Sequence, residues 1–264
     1  MPHHRSMHHA HIDKFAYQDS AIHRLDSRVK FLVVLVFTAV VISLPRTSLS
    51  ILACYTIGPF AVLVLGGIPL RFVFKHIMLV SPFVIVLALS CPLYDRTPLE
   101  VSFGPFSWQS TVGWMRCFAI LGKFIVTMLA LIALISTTRF NDLLSGLQRL
   151  GVPRLLIIQL GFLYRYIFVL IDRAHRILRA RAGRKLRHLG FGLELRTAAS
   201  MLGSLFIRSI DSAERISIAM QARAFDGNWR TLSALRIRRC DIVFILIAVT
   251  YMLGLYFFVK PVLQ

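Results

Sequence analysis

The sequence predicts an all-α, polytopic membrane protein with about five transmembrane helices and two further long helices on the cytoplasmic side. Three observations carry this reading. The 264-residue chain is 56% hydrophobic with a mean hydropathy of +0.68, more apolar than a soluble core of that length needs. Its apolar residues gather in runs of bilayer length. Its formal net charge is +19, and residues 139–239 hold 19 of the 31 lysines and arginines against six acidic residues. Basic charge beside apolar spans marks a cytoplasmic face, an anionic lipid surface or an acidic partner; nucleic acid is not expected.

Residues 1–28 form a polar cytoplasmic leader, and no cleavable signal is expected. The opening "MPHHRSMHHAH" holds five of the nine histidines, His3, His4, His8, His9 and His11. Imidazoles at that density can take Co²⁺, Ni²⁺ or Zn²⁺; a mobile tail is the competing reading. Residues 29–138 form a membrane domain with four spans. The first is "VKFLVVLVFTAVVISL", Val29 to Leu44, ended by Pro45. The second contains Gly58-Pro59, a step expected to kink rather than end a helix, since neighbours can satisfy the freed backbone groups. The third starts at Ile77, a mixed loop follows from Pro92 to Arg116, and the fourth starts at Cys117. Lys123 in the fourth span is expected to snorkel to the interface. Residues 241–264 form the last span, from Asp241. The cysteines (Cys54, Cys91, Cys117, Cys240) are scattered, so neither a disulfide framework nor a zinc site is expected. Lysine and arginine cluster before span one, between spans two and three, and through 139–239. The positive-inside rule therefore puts the N-terminus and the basic segment in the cytoplasm of a multi-pass bacterial inner-membrane protein.

Residues 139–240 read as two long helices rather than a loop. The first opens at Pro153 and closes at Gly183, a natural C′ glycine, with Asp172 and Arg176 as an i,i+4 pair. Its apolar half, Arg154 to Ile171, is long enough to span. Arg165 at its middle favours a helix lying against the membrane, with a six-span count kept open. The second helix, about Leu195 to Ala224, pairs Asp211 with Arg215 and aligns Ala213, Ile216, Met220 and Arg223 on one face. Both helices end on the same triplet, Ala180-Arg181-Ala182 and Ala222-Arg223-Ala224, 42 residues apart. An arginine at a helix end complements the macrodipole. Two such arginines flanked by small residues also suit docking, the tip approaching a partner backbone while the guanidinium forks onto a carboxylate.

Several chemistries are excluded. No G-x-x-x-x-G-K-[ST] occurs, so ATP is not bound through a P-loop on this chain, and no cofactor is expected here. The spans lack carboxylates, which argues against a proton-coupled carrier.

The paired triplets resemble the T component of energy-coupling factor ABC transporters. "ERISIAMQARAFDG" is similar to that family's second signature, and "HIDKFAYQDSAIHRLDSRVKFL" to the N-terminus of its CbiQ-like cobalt/nickel branch. Ala182 and Ala224 stand where the family usually has glycine, a departure expected to loosen docking slightly. The resemblance implies a non-catalytic coupling subunit that links two P-loop ATPase subunits, which hold the ATP, to a substrate-binding membrane subunit, with room for a small accessory membrane subunit. It assigns ATPase docking to Ala180, Arg181, Ala182, Ala222, Arg223 and Ala224. Asp172, Arg176, Asp211, Arg215, Ile216 and Met220 would support the coupling helices. Cargo is Co²⁺ or Ni²⁺ on this reading. The alternatives are a T component serving vitamin-binding subunits, or a basic scaffold that binds anionic lipid and has no ATPase partner.

Overall fold

The computed structural model describes residues 18, 20, 22–45, 49–94, 98–103, 106–184, 190–227 and 238–259. The element order is α1 (Ser27–Ser43), α2 (Leu49–Leu65), α3 (Leu70–Tyr94), β1 (Pro98–Phe103), β2 (Phe106–Thr111), α4 (Val112–Thr137), α5 (Phe140–Arg149), α6 (Arg154–Ala182), α7 (Phe191–Ala222) and α8 (Arg239–Val259). The helical class is as expected. One departure lies in the segment read as a mixed loop, where β1 and β2 pair antiparallel from Pro98 opposite Thr111 to Phe103 opposite Phe106. The chain divides into two compact units, with breaks after Gly146 and after residue 232. The unit that holds α1 to α4 therefore keeps most of α5, running through Gly146, eight residues past 138.

Within the membrane unit α1 begins where Asp26 caps it, the carboxylate accepting the Arg28 N–H at 3.0 Å. It stops at Leu44, before Pro45. Lys123 of α4 does not simply snorkel: its Nζ donates to the carbonyls of Ile42 and Leu44 at 2.8 and 2.6 Å. A helix C-terminus leaves such carbonyls without intrahelical partners, and a cation there also complements the dipole. α3 starts seven residues before the expected Ile77, taking Arg71 and Lys75 into its exposed first turns. α4 is the central element. Its Val126 and Ala130 join Phe37, Val41, Leu52, Tyr55 and Met252 in one buried cluster, while Leu129, Ile132 and Ala133 join Leu63, Ile68 and Val73 in another. Gly122 lets Leu52 of α2 lie directly against the α4 backbone. On α3 the side chains of Phe74, Leu79, Phe83 and Val86 are more than two-thirds exposed, the surface a helix offers to lipid rather than to a core.

By length and composition, three helices among the described residues suffice to cross a membrane: Leu70–Leu93 of α3, α4, and α6. α1 and α2 have 17 residues each, at the lower end of spanning length. α6 is one unbroken 29-residue helix, and by length and composition alone it meets the spanning measure despite Arg165.

As expected, the Gly58-Pro59 step does not end the helix, α2 running on through it, and the backbone there is bridged by a specific group. Proline at 59 lies inside the helix, and the hydroxyl of Tyr251 from α8 inserts one turn away. It donates to the Cys54 carbonyl at 2.6 Å and accepts the Gly58 N–H at 3.1 Å, two groups that would otherwise bond each other. A Cβ on Gly58 would lie 2.8 Å from the Tyr251 ring, so only glycine admits the tyrosine. Tyr55 of α2 returns the contact, donating to the Met252 carbonyl at 3.4 Å. Tyr251→Phe should therefore cost about 1–3 kcal/mol, because two backbone groups lose a partner where no water can replace it. Thermal unfolding of the purified variant in detergent, followed by circular dichroism, would expose an error if its midpoint matched that of the parent.

At the end of the unit where α1 and α8 begin, a second long-range closure forms. Asp241, 1% exposed, accepts the Arg238 N–H at 2.6 Å, reaching back from the third helical position to cap α8. Its other oxygen accepts the Asp26 N–H at 2.8 Å. Beside it Lys30 Nζ donates to the Thr137 carbonyl at the end of α4 at 2.8 Å, and Ser27 Oγ to the Asp142 carbonyl of α5 at 2.8 Å.

Candidate docking site

The second unit is the pair α6 and α7. Pro153 stands at the N-cap of α6, one position before the first turn. α7 starts at Phe191, four residues before the expected Leu195. The helices run antiparallel, since Arg173 meets Arg208 and Ser212 whereas Arg181, further along α6, meets Glu194 near the start of α7. Phe162, Tyr166, Val169 and Leu170 on α6 face Ala213, Ile216 and Met220 on α7 across a groove of about 280 Å³. Ala213, Ile216 and Met220, aligned on one helix face in the sequence, all line this groove. Arg173 closes the groove, donating to Ser212 Oγ at 2.7 Å and to the Arg208 carbonyl at 3.4 Å. Residues of α7 outside this face stay uncovered, and none of its 32 residues is buried.

The charged supports behave differently from expectation. Asp172 and Arg176 form no ion pair among the described residues. Arg215 turns to a backbone oxygen, its Nε donating to the Asp211 carbonyl at 3.2 Å rather than meeting that carboxylate. Exposed i,i+4 pairs on a helix are worth only about 0.3–0.5 kcal/mol, so competing rotamers win easily.

The two arginine triplets end their helices in different ways. Arg181 is still helical, with Ala182 the last residue of α6 and Gly183 the cap. That glycine has φ −69° and ψ −17°, right-handed geometry rather than the left-handed C′ role expected of it. Arg181 Nη2 lies 4.0 Å from Glu194 Oε1. Arg223 is itself the cap of α7, and Ala224 follows at φ +49°. The Phe225 N–H reaches the Met220 carbonyl at 3.1 Å and the Ala224 N–H the Gln221 carbonyl at 3.0 Å, which together make a Schellman end. Arg223 is exposed, with no side-chain partner among the described residues. The triplets also sit at opposite ends of the pair. From Glu194, beside Arg181, to Arg223 is 29 residues of α7, about 44 Å at 1.5 Å per residue.

These geometries separate the two alanine departures. Ala182 is in a right-handed helix, where alanine is the better residue. Ala224 occupies the left-handed region, which costs a non-glycine residue about 1–2 kcal/mol. Ala224→Gly should therefore stabilise the tip by about 0.5–1 kcal/mol, with slower amide exchange at Ala224 and Phe225; Ala224→Val should do the reverse. Equal exchange in parent and glycine variant would contradict the strain.

Sequence reasoning missed Asp241, whose signal was one carboxylate opening an apolar run, and Glu194, which carried no local signal. His3, His4, His8, His9 and His11 lie outside the described residues. Among the described residues no group of three or more histidines, cysteines or carboxylates could hold a metal ion.

The chain thus combines an apolar helical unit with a long antiparallel helix pair that carries an arginine towards each far end. Residues 18–233 match the family model CbiQ, "Cobalt transport protein", and the chain belongs to that family. It is 37% identical over 100 residues to the cobalt transport protein CbiQ of Rhodobacter capsulatus, covering 38% of this chain and 41% of that one. It is 30% identical over 113 residues to an uncharacterised protein of Methanocaldococcus jannaschii, covering 43% and 39%. The match to the energy-coupling factor transporter transmembrane protein EcfT of Thermosediminibacter oceani is 24% identical over 247 residues, covering 88% and 91%. The alignments thus span under half of the first two relatives and most of the third.

Proposed function

We propose that this chain is the non-catalytic coupling subunit of an energy-coupling factor importer. It would join two P-loop ATPase subunits, which hold and hydrolyse ATP, to a substrate-binding membrane subunit, with Co²⁺ or Ni²⁺ as cargo. The observation that carries the reading is the placement of Arg181 and Arg223 at opposite ends of one antiparallel pair, in a chain of the CbiQ family. One tip can serve each ATPase only if the tips are far apart and stiffly joined. Several arginines (Arg24, Arg28, Arg238, Arg239) lie where α1 and α8 begin, which under the positive-inside rule supports a cytoplasmic position for that end and the N-terminus. A second reading, with vitamin-binding subunits in place of the metal-ion partner, draws on the longer alignment with EcfT.

The test is the distance between spin labels on cysteines at Arg184 and Gln221, on a cysteine-free background, in the reconstituted complex. ATP is expected to shift the distribution as α6 and α7 scissor about the groove at Arg173. One unchanged distribution in a complex that hydrolyses ATP and moves cargo would make the pair a static anchor and end the proposal. Cargo retained by the purified complex, measured for Co²⁺, Ni²⁺ and vitamins, separates the two readings.

A further inference from the structure

Inside the membrane unit, α1, α2, α4 and α8 leave a cleft of about 350 Å³ between them. Small residues create it: Gly58 and Ala61 on α2, Ala130 and Ala133 on α4, Ala248 on α8. Its lining carries no charged side chain, and the one hydroxyl, that of Tyr251, is held in the α2 backbone ladder. The walls are braced rather than loosely apposed. Tyr251 is tied to α2, Tyr55 to α8, and the Phe37 and Tyr55 rings meet at 5.9 Å.

The cleft opens to the outside of the unit through Ile57, Leu65 and Ile247, each more than 60% exposed, so in a bilayer the surroundings fill it. Water has nothing to bond to there, and apolar cavities of this kind stay dry and take apolar guests. In a bilayer the available guest is hydrocarbon. At about 30 Å³ for a group the size of a water molecule, the cleft holds roughly a dozen such groups, the scale of one fatty acyl chain. A partner helix does not fit, because a helix with its side chains is about 10 Å across and a few turns of it exceed this volume several-fold.

The cleft also has a charged end. Ile22 lines it, two residues before Arg24, and the Asp26–Asp241 contact brings the starts of α1 and α8 together there. Arg28 lies two residues into α1, while Arg238 and Arg239, both exposed, open α8. Arg28 is drawn to Asp26 at 3.8 Å, so a chain lying in the cleft would carry its headgroup towards Arg238 and Arg239, a field that selects an anionic lipid over a zwitterionic one. We propose that the cleft between α1, α2, α4 and α8 is a lipid site for one acyl chain of an anionic phospholipid, whose phosphate rests on the arginines at the Ile22 end.

Native mass spectrometry of the delipidated full chain, titrated with dioleoyl phosphatidylglycerol and with dioleoyl phosphatidylcholine, tests the site. The parent is expected to retain one phosphatidylglycerol about tenfold more tightly than phosphatidylcholine. Filling the cleft from either side, with Ala133→Leu or with Ala248→Leu, should weaken both lipids about tenfold. Arg238→Gln with Arg239→Gln should bring phosphatidylglycerol down to the phosphatidylcholine level. Unchanged retention in a filled variant of parental helicity, or equal affinity of the parent for the two lipids, would overturn the proposal. The parent alone gives an independent answer with a photoreactive phosphatidylglycerol carrying a diazirine in its acyl chain. Adducts on the cleft segments of α1, α2 and α8 support the site; adducts confined to the exposed face of α3 overturn it.

Discussion

Reversing the charge at both tips, Arg181→Glu with Arg223→Glu, is expected to abolish association with the ATPase subunits while leaving the chain in the membrane. If each guanidinium seats against a partner carboxylate, the double variant replaces two attractions by two desolvated repulsions, each costing about 3–5 kcal/mol. That total exceeds what separates a stable complex from an undetectable one. The two positions are not equivalent. Arg181 lies 4.0 Å from Glu194, so Arg181→Glu also adds a repulsion within the pair, whereas Arg223 is exposed at its cap. Arg223→Glu alone is accordingly the cleaner probe, and Arg223→Lys should already be damaging because lysine loses the planar fork. Pull-down of the ATPase by the double variant at the level of the parent would end the docking assignment for both residues.

The second large effect is expected at Asp241, far from either tip. Asp241→Ala removes the acceptor for the backbone N–H groups of Asp26 and Arg238, in a site where the carboxylate is 1% exposed. Bonds to a charged acceptor contribute about 1.5–3 kcal/mol each, and burying the orphaned donors adds to the loss. A destabilisation of about 3–5 kcal/mol follows, enough to lower the yield of folded protein in membranes. Asp241→Asn should fall between, since one of its two atoms becomes a donor facing an N–H. Unfolding midpoints in detergent for both variants decide the matter, and a parental midpoint for Asp241→Ala would show the closure to be incidental.

The apolar helices were legible in the sequence because a bilayer imposes length and composition together, and α1 to α4 and α8 each satisfy both closely enough to read. That α2 would run on through Gly58-Pro59 was legible too, but what bridges its backbone was not: the hydroxyl comes from Tyr251, 193 residues away from Gly58. Asp26 and Asp241 are 215 residues apart, and no local pattern announces such a pair. The β1–β2 hairpin did carry a signal, Leu99, Val101 and Phe103 alternating with Glu100 and Ser102 and Phe106 and Trp108 with Ser107 and Gln109, but two six-residue strands between long apolar runs were read as loop. For the candidate site, the two triplets were visible as a repeat, yet their difference was not. A single φ value at Ala224 and a cap shifted by two residues separate one tip from the other, and neither leaves a compositional trace.

The insertion of the α6–α7 pair into the membrane unit has a consequence for biogenesis. The chain leaves that unit after Gly146 and re-enters it after residue 232, so α8 emerges from the ribosome only once the whole pair has been made. At about 5–20 residues per second, α2 waits roughly 10–40 s for the hydroxyl that bridges Cys54 and Gly58, and α1 waits with the Asp26 amide open. Arrival of α8 closes both seams at once through Tyr251 and Asp241. Until then the Asp26 amide of the nascent four-helix intermediate lacks its acceptor, and synthesis of the tips necessarily precedes completion of the bundle.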